Sequence, residues 1–227
     1  VSNPYVGWRY DVGPSTFDRT HIAFVNFVYQ IPFMRSSSNH FAKGVLGGWD
    51  LSGINTMESG APIDVTLGTQ NYAANSTNRP DLVSSVTYPK TKLNGTGNLP
   101  FGIQWFDVSA FGCSITANTP SCSGVPANGT FGDLPHNYLR GPGRDNWNLA
   151  LHKTFAFTER AGLELRVESY NTWNHTQFRA NGTQNGIGNS LNNFLTSKVV
   201  NGVTASTFGV ITSAYDPRVL QLGAKLY

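Results

Sequence analysis

Alternation of period two, sustained over long stretches, is the feature that most constrains this chain. From His21 to Ile31 one face reads Ala23, Val25, Phe27, Tyr29 and Ile31, and the other carries Asn26 and Gln30 among apolar neighbours. Trp49 to Met57 sets Trp49, Leu51, Gly53 and Met57 against Asp50, Ser52 and Thr56, with Ile54 and Asn55 each on the wrong side. Asn146 to Phe157 opposes Trp147, Leu149, Leu151, Phe155 and Phe157 to Asn146, Asn148, Ala150, His152 and Thr154, and Lys153 alone breaks the apolar row. Leu163 to Thr172 places Leu163, Leu165 and Val167 opposite Glu164, Arg166 and Glu168. Leu220 to Tyr227 places Leu220, Leu222, Ala224 and Leu226 opposite Gln221, Gly223 and Lys225. Successive side chains of a strand point to opposite faces, so these segments are expected to be β-strands with one apolar face.

Sandwiches, soluble barrels and transmembrane barrels share this period, and the connections separate them. They alternate between compact, around Phe33 to Leu46 and at Thr158 to Gly162, and very long, over 68–143 and 174–207. Outer-membrane barrels have that asymmetry, with short periplasmic turns and long outer loops. If the last strand runs inward, Leu163–Thr172 runs outward, Asn146–Phe157 inward, Trp49–Met57 outward and His21–Ile31 inward. Both compact turns then fall on the periplasmic side and both long loops outside, provided that Ile63–Leu67 and Phe208–Thr212 are short strands within those loops. The expected fold is therefore all-β: an antiparallel meander of long strands with two long loops, one domain over 1–227, forming the C-terminal section of an outer-membrane barrel. The alternative is a small barrel or sandwich completed by strand exchange.

Composition agrees and excludes some functions. Charged residues make up 13% of the chain, about half the roughly 25% usual in soluble domains. The net charge of +3 is scattered, with no basic run to track a phosphate backbone, so no nucleic-acid partner is expected. No apolar stretch approaches the roughly 20 residues of a membrane-spanning helix. The opening Val-Ser-Asn-Pro-Tyr lacks signal-peptide features, which suggests either a processed or excerpted piece or a chain that crosses no membrane. Cys113 and Cys122, the only cysteines, lie close together without a neighbouring His, which favours a loop-stapling disulfide in an oxidising compartment over a metal site.

Candidate chemistry is sparse. His21, His40, His136, His152 and His175 are dispersed, without ligand spacing. Glu164, Arg166 and Glu168 share one strand face, but the intervening Arg favours ionised carboxylates, so they suit a polar ion-pair ladder better than an acid/base pair. Gly141-Pro142-Gly143-Arg144 reads as a turn before a strand. The sequons at Asn75, Asn94, Asn128, Asn174 and Asn181 are expected chance products of an Asn- and Thr-rich chain. Trp8, Tyr10, Trp49, Trp147, Phe155, Phe157, Trp173 and Tyr227, near strand ends, are candidates for interfacial aromatic girdles. No catalytic residue, metal site or cofactor is expected.

Several segments then come in a familiar order. They are Asp18-Arg19-Thr20-His21, Leu46 to Ile54 (LGGWDLSGI), Glu58-Ser59-Gly60-Ala61-Pro62, Asn78-Arg79-Pro80-Asp81-Leu82, Trp105-Phe106-Asp107 and Gly129-Thr130-Phe131-Gly132. Leu139 to Gly143 (LRGPG), Asn146-Trp147-Asn148-Leu149, Glu168 to His175 (ESYNTWNH), Phe208 to Ala214 (FGVITSA) and Asp216-Pro217-Arg218 follow. The series resembles the C-terminal region of Oar-like TonB-dependent receptors and covers nearly the whole chain. The resemblance implies a barrel of roughly 22 strands whose plug, energy-coupling box and N-terminal extension are not among these residues. It also implies that Gln221, Gly223, Leu226 and Tyr227 resemble the signal by which barrel-assembly machinery recognises a final strand.

The expected function is that of a non-catalytic outer-membrane receptor wall. Val25, Phe27, Tyr29, Leu149, Leu151, Leu163, Leu165, Leu222 and Leu226 would form its apolar face, and the outer loops would contact an unknown extracellular ligand. Its partners would be outer-membrane lipid and the remainder of a barrel. One alternative is a self-assembling subunit of an extracellular filament, in which Val1–Asp11 or Leu220–Tyr227 completes the sheet of another copy. A second is a secreted carbohydrate-binding module.

Overall fold

The computed structural model describes residues 7–34, 36, 38–68, 78–95, 100–179 and 187–227. Among them are fourteen strands, β1 to β14 in chain order, and the chain divides into two compact units. One, the sheet unit, comprises His21–Ser59, Arg144–Gln177 and Tyr215–Tyr227; the other, the loop unit, comprises Val1–Thr20, Gly60–Gly143 and Phe178–Ala214.

The sheet unit is built on β1 (Ile22–Gln30), β2 (Asp50–Glu58), β9 (Arg144–Ala156), β10 (Gly162–Tyr170) and β14 (Val219–Leu226). They form one sheet in the order β1-β2-β9-β10-β14, antiparallel throughout. Each alternating segment of the sequence is one of these strands, with ends within two residues of those expected. Two connections, 31–49 and 157–161, close hairpins at one end of the sheet. The opposite ends, at Ile22, Glu58, Arg144, Tyr170 and Val219, lead toward the long intervening segments.

The connection between β1 and β2 differs from a plain turn, because it holds helix α1 (His40–Leu46). Asn39 starts it: its side-chain oxygen accepts from the backbone N–H groups of Phe41 at 3.0 Å and Ala42 at 3.2 Å, satisfying two of the orphan donors of the first turn. At the far end the Trp49 indole donates to the Val45 carbonyl at 3.2 Å, and Lys153 Nζ donates to the carbonyl of Gly47.

The loop unit has its own core. Ile63, Val65, Leu67, Leu134, Leu139, Ile187, Leu191 and Ile211 are buried with Phe106, Phe111 and Phe208. Those three rings meet edge to face with centroids 5.3 to 6.0 Å apart. Strands of two to four residues frame them: β13 (Val210–Ile211), β5 (Gly102–Gln104) and β4 (Thr91–Leu93) in one sheet, and β3 (Pro62–Ile63) beside β8 (Leu139–Arg140). The short strands expected at Ile63–Leu67 and Phe208–Thr212 are these smaller pieces at β3 and β13. Hairpin β6 (Cys113–Thr116) to β7 (Thr119–Cys122) is closed by the Cys113–Cys122 disulfide. Closing so short a loop stabilises by about 2 to 3 kcal/mol through the unfolded chain.

Candidate functional site

The register of the five-stranded sheet sorts side chains into two faces. One carries Val25, Phe27 and Tyr29 of β1, Leu51 of β2, Leu149 and Leu151 of β9, Leu163, Leu165 and Val167 of β10, and Leu222 and Leu226 of β14. All nine residues of the sequence-derived apolar set are thus brought to one surface, where Leu222 and Leu226 stand largely exposed.

Polar residues interrupt this face at Asn55, Asp145, Lys153 and Ser169, and both Asn55 and Lys153 donate to groups nearby. Asn55, fully buried, donates through Nδ2 to Asp145 Oδ1 at 2.7 Å and to the Asn146 carbonyl at 3.3 Å. Gln177 then brackets the backbone of Asp145, accepting from its N–H at 3.0 Å and donating to its carbonyl at 2.5 Å. Toward the hairpin end Lys153 is only 3% exposed. Its ammonium, besides its bond to Gly47, lies 4.9 Å from the Phe155 ring centroid and 5.7 Å from that of Trp49. A buried cation needs such partners, since desolvation without them costs several kcal/mol.

The opposite face is polar on β9, β10 and β14 and mixed on β1 and β2, where Phe24, Val28 and Ile54 stand exposed among Asn26, Gln30, Asp50 and Ser52. An open trough of about 560 Å³ runs along it, lined by Asn26, Ser52, Ile54, Asn148, Glu168 and Tyr170 among others. Ile54, out of phase in the sequence, sits here, half exposed. Charged groups gather on the β2, β9, β10 and β14 part of this face: Asp50 Oδ2 stands 3.5 Å from His152 Nε2, Arg166 Nε donates to Glu164 Oε1 at 2.5 Å within β10, and Glu164 faces Lys225 on β14. Opposite charges placed side by side stabilise a sheet face modestly. Of the three charged residues of this face of β10, Arg166 pairs with Glu164, and Glu168 accepts from the Tyr170 hydroxyl at 3.4 Å.

The last strand closes against the β9–β10 turn. Tyr227 and Gly162 exchange backbone hydrogen bonds of 3.0 and 2.9 Å, and the phenol covers the glycine so closely that a Cβ there would stand 2.7 Å from Oη. Gln221 and Gly223 lie on the polar face, and Leu226 lies on the apolar one.

In the loop unit several of the ordered segments meet as latches. The Arg79 side chain, 1% exposed, donates through Nε to the Leu134 carbonyl at 2.9 Å and through a terminal nitrogen to the Tyr10 carbonyl. Its guanidinium also stacks 3.8 Å from the Tyr10 ring centroid and lies 3.7 Å from Asp11. Phe131 packs edge-on against the same Tyr10 ring. Burial lifts the Tyr10 phenol above its ordinary pKa, against the opposing pull of its hydrogen bond and charge contact with Arg79. Tyr10 therefore packs within the loop unit and joins no girdle among the described residues. Asp81 and Asp133 bond each other's segments reciprocally, with Leu82 N–H to Asp133 and Asp133 N–H to Asp81, both at 2.9 Å. Asp18 pairs with Arg140 at 2.7 Å, whose carbonyl accepts from the Trp105 indole at 2.7 Å. The run Asn78-Arg79-Pro80-Asp81 was visible in the sequence; that its arginine is a buried hub was not.

The histidines do not converge. His136 faces Asp64 at 3.2 Å, His152 belongs to the polar ladder and His175 contacts Gln177 at 3.0 Å. Among the described residues no group of three or more His, Cys, Asp or Glu side chains is placed to hold a metal ion. The sequons at Asn75 and Asn181 lie outside the described residues, as do Val1–Val6 of the segment proposed for strand exchange and the Thr96 position of the Asn94 sequon.

An antiparallel sheet with an apolar face, compact connections at one end and long excursions from the other is the wall of an outer-membrane type of β-barrel. The chain belongs to the outer membrane beta barrel domain family, whose match runs over residues 1–221. Its place is therefore the bacterial outer membrane. No curated protein and no solved structure matches the chain significantly.

Proposed function

We propose that this chain forms part of the wall of a TonB-dependent-receptor-type barrel, non-catalytic, with its loop unit outside the cell contacting a large extracellular ligand. The single observation that carries the reading is the sorting of side chains by register: the apolar rung Tyr29–Leu51–Leu151–Val167–Leu222 running from β1 to β14 for lipid, and the charged residues of β2, β9, β10 and β14 on the other face for the lumen. The spacing of two polar residues of β9 on the apolar face is compatible with it. Asp145 and Lys153 are eight residues apart on β9, about 26 Å along the strand, comparable with the roughly 25 Å apolar band of outer-membrane barrels. Strand tilt shortens that span, and Phe155, Leu163 and Leu226 extend the band past Lys153.

In this reading the free edges of β1 and β14 pair with the remaining strands of the barrel, and Gln221, Gly223, Leu226 and Tyr227 serve as the assembly signal of a final strand. The receptor type rests on the ordered motifs, several of which, including Asn78–Leu82 and Gly129–Gly132, meet in the loop unit.

The experiment compares Leu151→Arg with His152→Arg, neighbours on β9 that point to opposite faces. In a membrane wall Leu151→Arg costs roughly 2 to 4 kcal/mol of folding into bilayers, while His152→Arg costs little. Equal effects of the two, or assembly of the protein into detergent-free filaments, would sink the reading.

A further inference from the structure

Helix α1 leaves its apolar side chains uncovered. Phe41 is 78% exposed, and Phe33, Val45 and Leu46 in the same connection are exposed as well. Apolar side chains scattered singly on a surface need no explanation, but a group of four in one short connection does.

Two contacts fix where this group stands. Lys153 and Trp49 both belong to the apolar face of the sheet, flanking the rung Asp50–His152 on its hairpin side. Lys153 holds the carbonyl of Gly47 and Trp49 holds that of Val45, so the C-terminal end of α1 is tied down on the apolar side. The exposed apolar residues of α1 thus continue the apolar wall past its hairpin end. Their charge setting has one sign: from Ile31 to Trp49 there is no Asp or Glu, and Lys43 is exposed in the last turn of the helix.

We propose that α1 and its flanking turn lie in the headgroup layer of the phospholipid leaflet at the hairpin end of the sheet. Phe41, Val45 and Leu46 enter the upper acyl region, and Lys43 pairs with an anionic phospholipid headgroup. Interfacial helices bind in this manner, by apolar burial combined with attraction to anionic lipid. The Lys153–Gly47 and Trp49–Val45 bonds set the depth at which the helix rides. This inference rests on the reading of the apolar face as lipid-facing.

The test places a nitroxide at Phe41→Cys, and separately at Leu151→Cys, in the intact barrel carrying this chain. Each protein is reconstituted in phosphatidylethanolamine vesicles with and without phosphatidylglycerol. The expected result is a Phe41→Cys label reached more readily by oxygen than by a water-soluble nickel chelate, moving deeper when phosphatidylglycerol is present, with that shift lost in Lys43→Glu. If the nickel chelate reaches the Phe41→Cys label freely while the Leu151→Cys label stays in lipid, the proposal fails and the wall stands. If the Leu151→Cys label is itself outside lipid, both fail together. Protection of Phe41→Cys from both reagents that grows with protein concentration would mean that a second copy covers α1, and would also overturn the proposal.

Discussion

The ring of Phe27 lies across Gly53, its register partner on the neighbouring strand, and Leu149 closes on the same glycine from the other side. A Cβ on Gly53 would stand 2.6 Å from Phe27 Cε1 and 2.6 Å from Leu149 Cδ2. An aromatic ring laid over a strand glycine restores the contact area that the missing side chain forfeits. Gly53→Ala is expected to displace the ring and destabilise the sheet by about 1 to 3 kcal/mol, as overpacking does. Urea unfolding of the reconstituted protein measures this, and an unchanged midpoint would show that the ring has room to move.

Arg79 organises the loop unit from its interior. Replacing it with Met keeps much of the aliphatic volume but leaves the Leu134 and Tyr10 carbonyls without their donor. Each buried acceptor left unpaired costs about 1 to 3 kcal/mol. Arg79→Met is therefore expected to speed hydrogen exchange across 78–82 and 129–140 and leave the exchange of β9 and β10 as it was. Uniform loosening of all these segments would contradict a local role.

Alkaline pH probes the same contact. The folded protein holds the Tyr10 phenol neutral above its ordinary pKa of about 10. Folding therefore favours the protonated form: the resulting stability is fully present below the unfolded value and is lost as pH rises through the raised, folded value. Melting of the loop unit, followed from pH 8 upward, should show an alkaline loss that Tyr10→Phe removes. A loss unchanged in Tyr10→Phe would assign the titration to another group.

The sheet was legible because its signal is repeated. Five segments long enough to alternate several times give the strands to within two residues, and the out-of-phase Asn55 and Lys153 mark places where local partners override the pattern. The loop unit was legible only in part: the Cys113–Cys122 disulfide and short strands near Ile63 and Phe208 were expected, and the rest was not. Its strands, two to four residues long, carry no periodicity, and its core is assembled from segments as distant as Ile63 and Ile211. Helix α1, with seven residues and a glycine at position 44, has too few turns to display a period. Its start is set by Asn39, whose side chain caps the first turn in the structure. The polar hub at Arg79 depends on Tyr10, Asp11 and Leu134, distant in sequence, and no local pattern announces it.

The most direct test of the account is a cysteine scan of β9 at Leu149, Ala150, Leu151 and His152 in the reconstituted barrel, reading collisions of an attached nitroxide with oxygen and with a water-soluble nickel chelate. The account predicts strict alternation, with positions 149 and 151 open to oxygen and closed to nickel, and positions 150 and 152 the reverse. Labels at 149 and 151 shielded from both reagents would mean that the apolar face is packed against protein instead of lipid, and would contradict the membrane-wall reading.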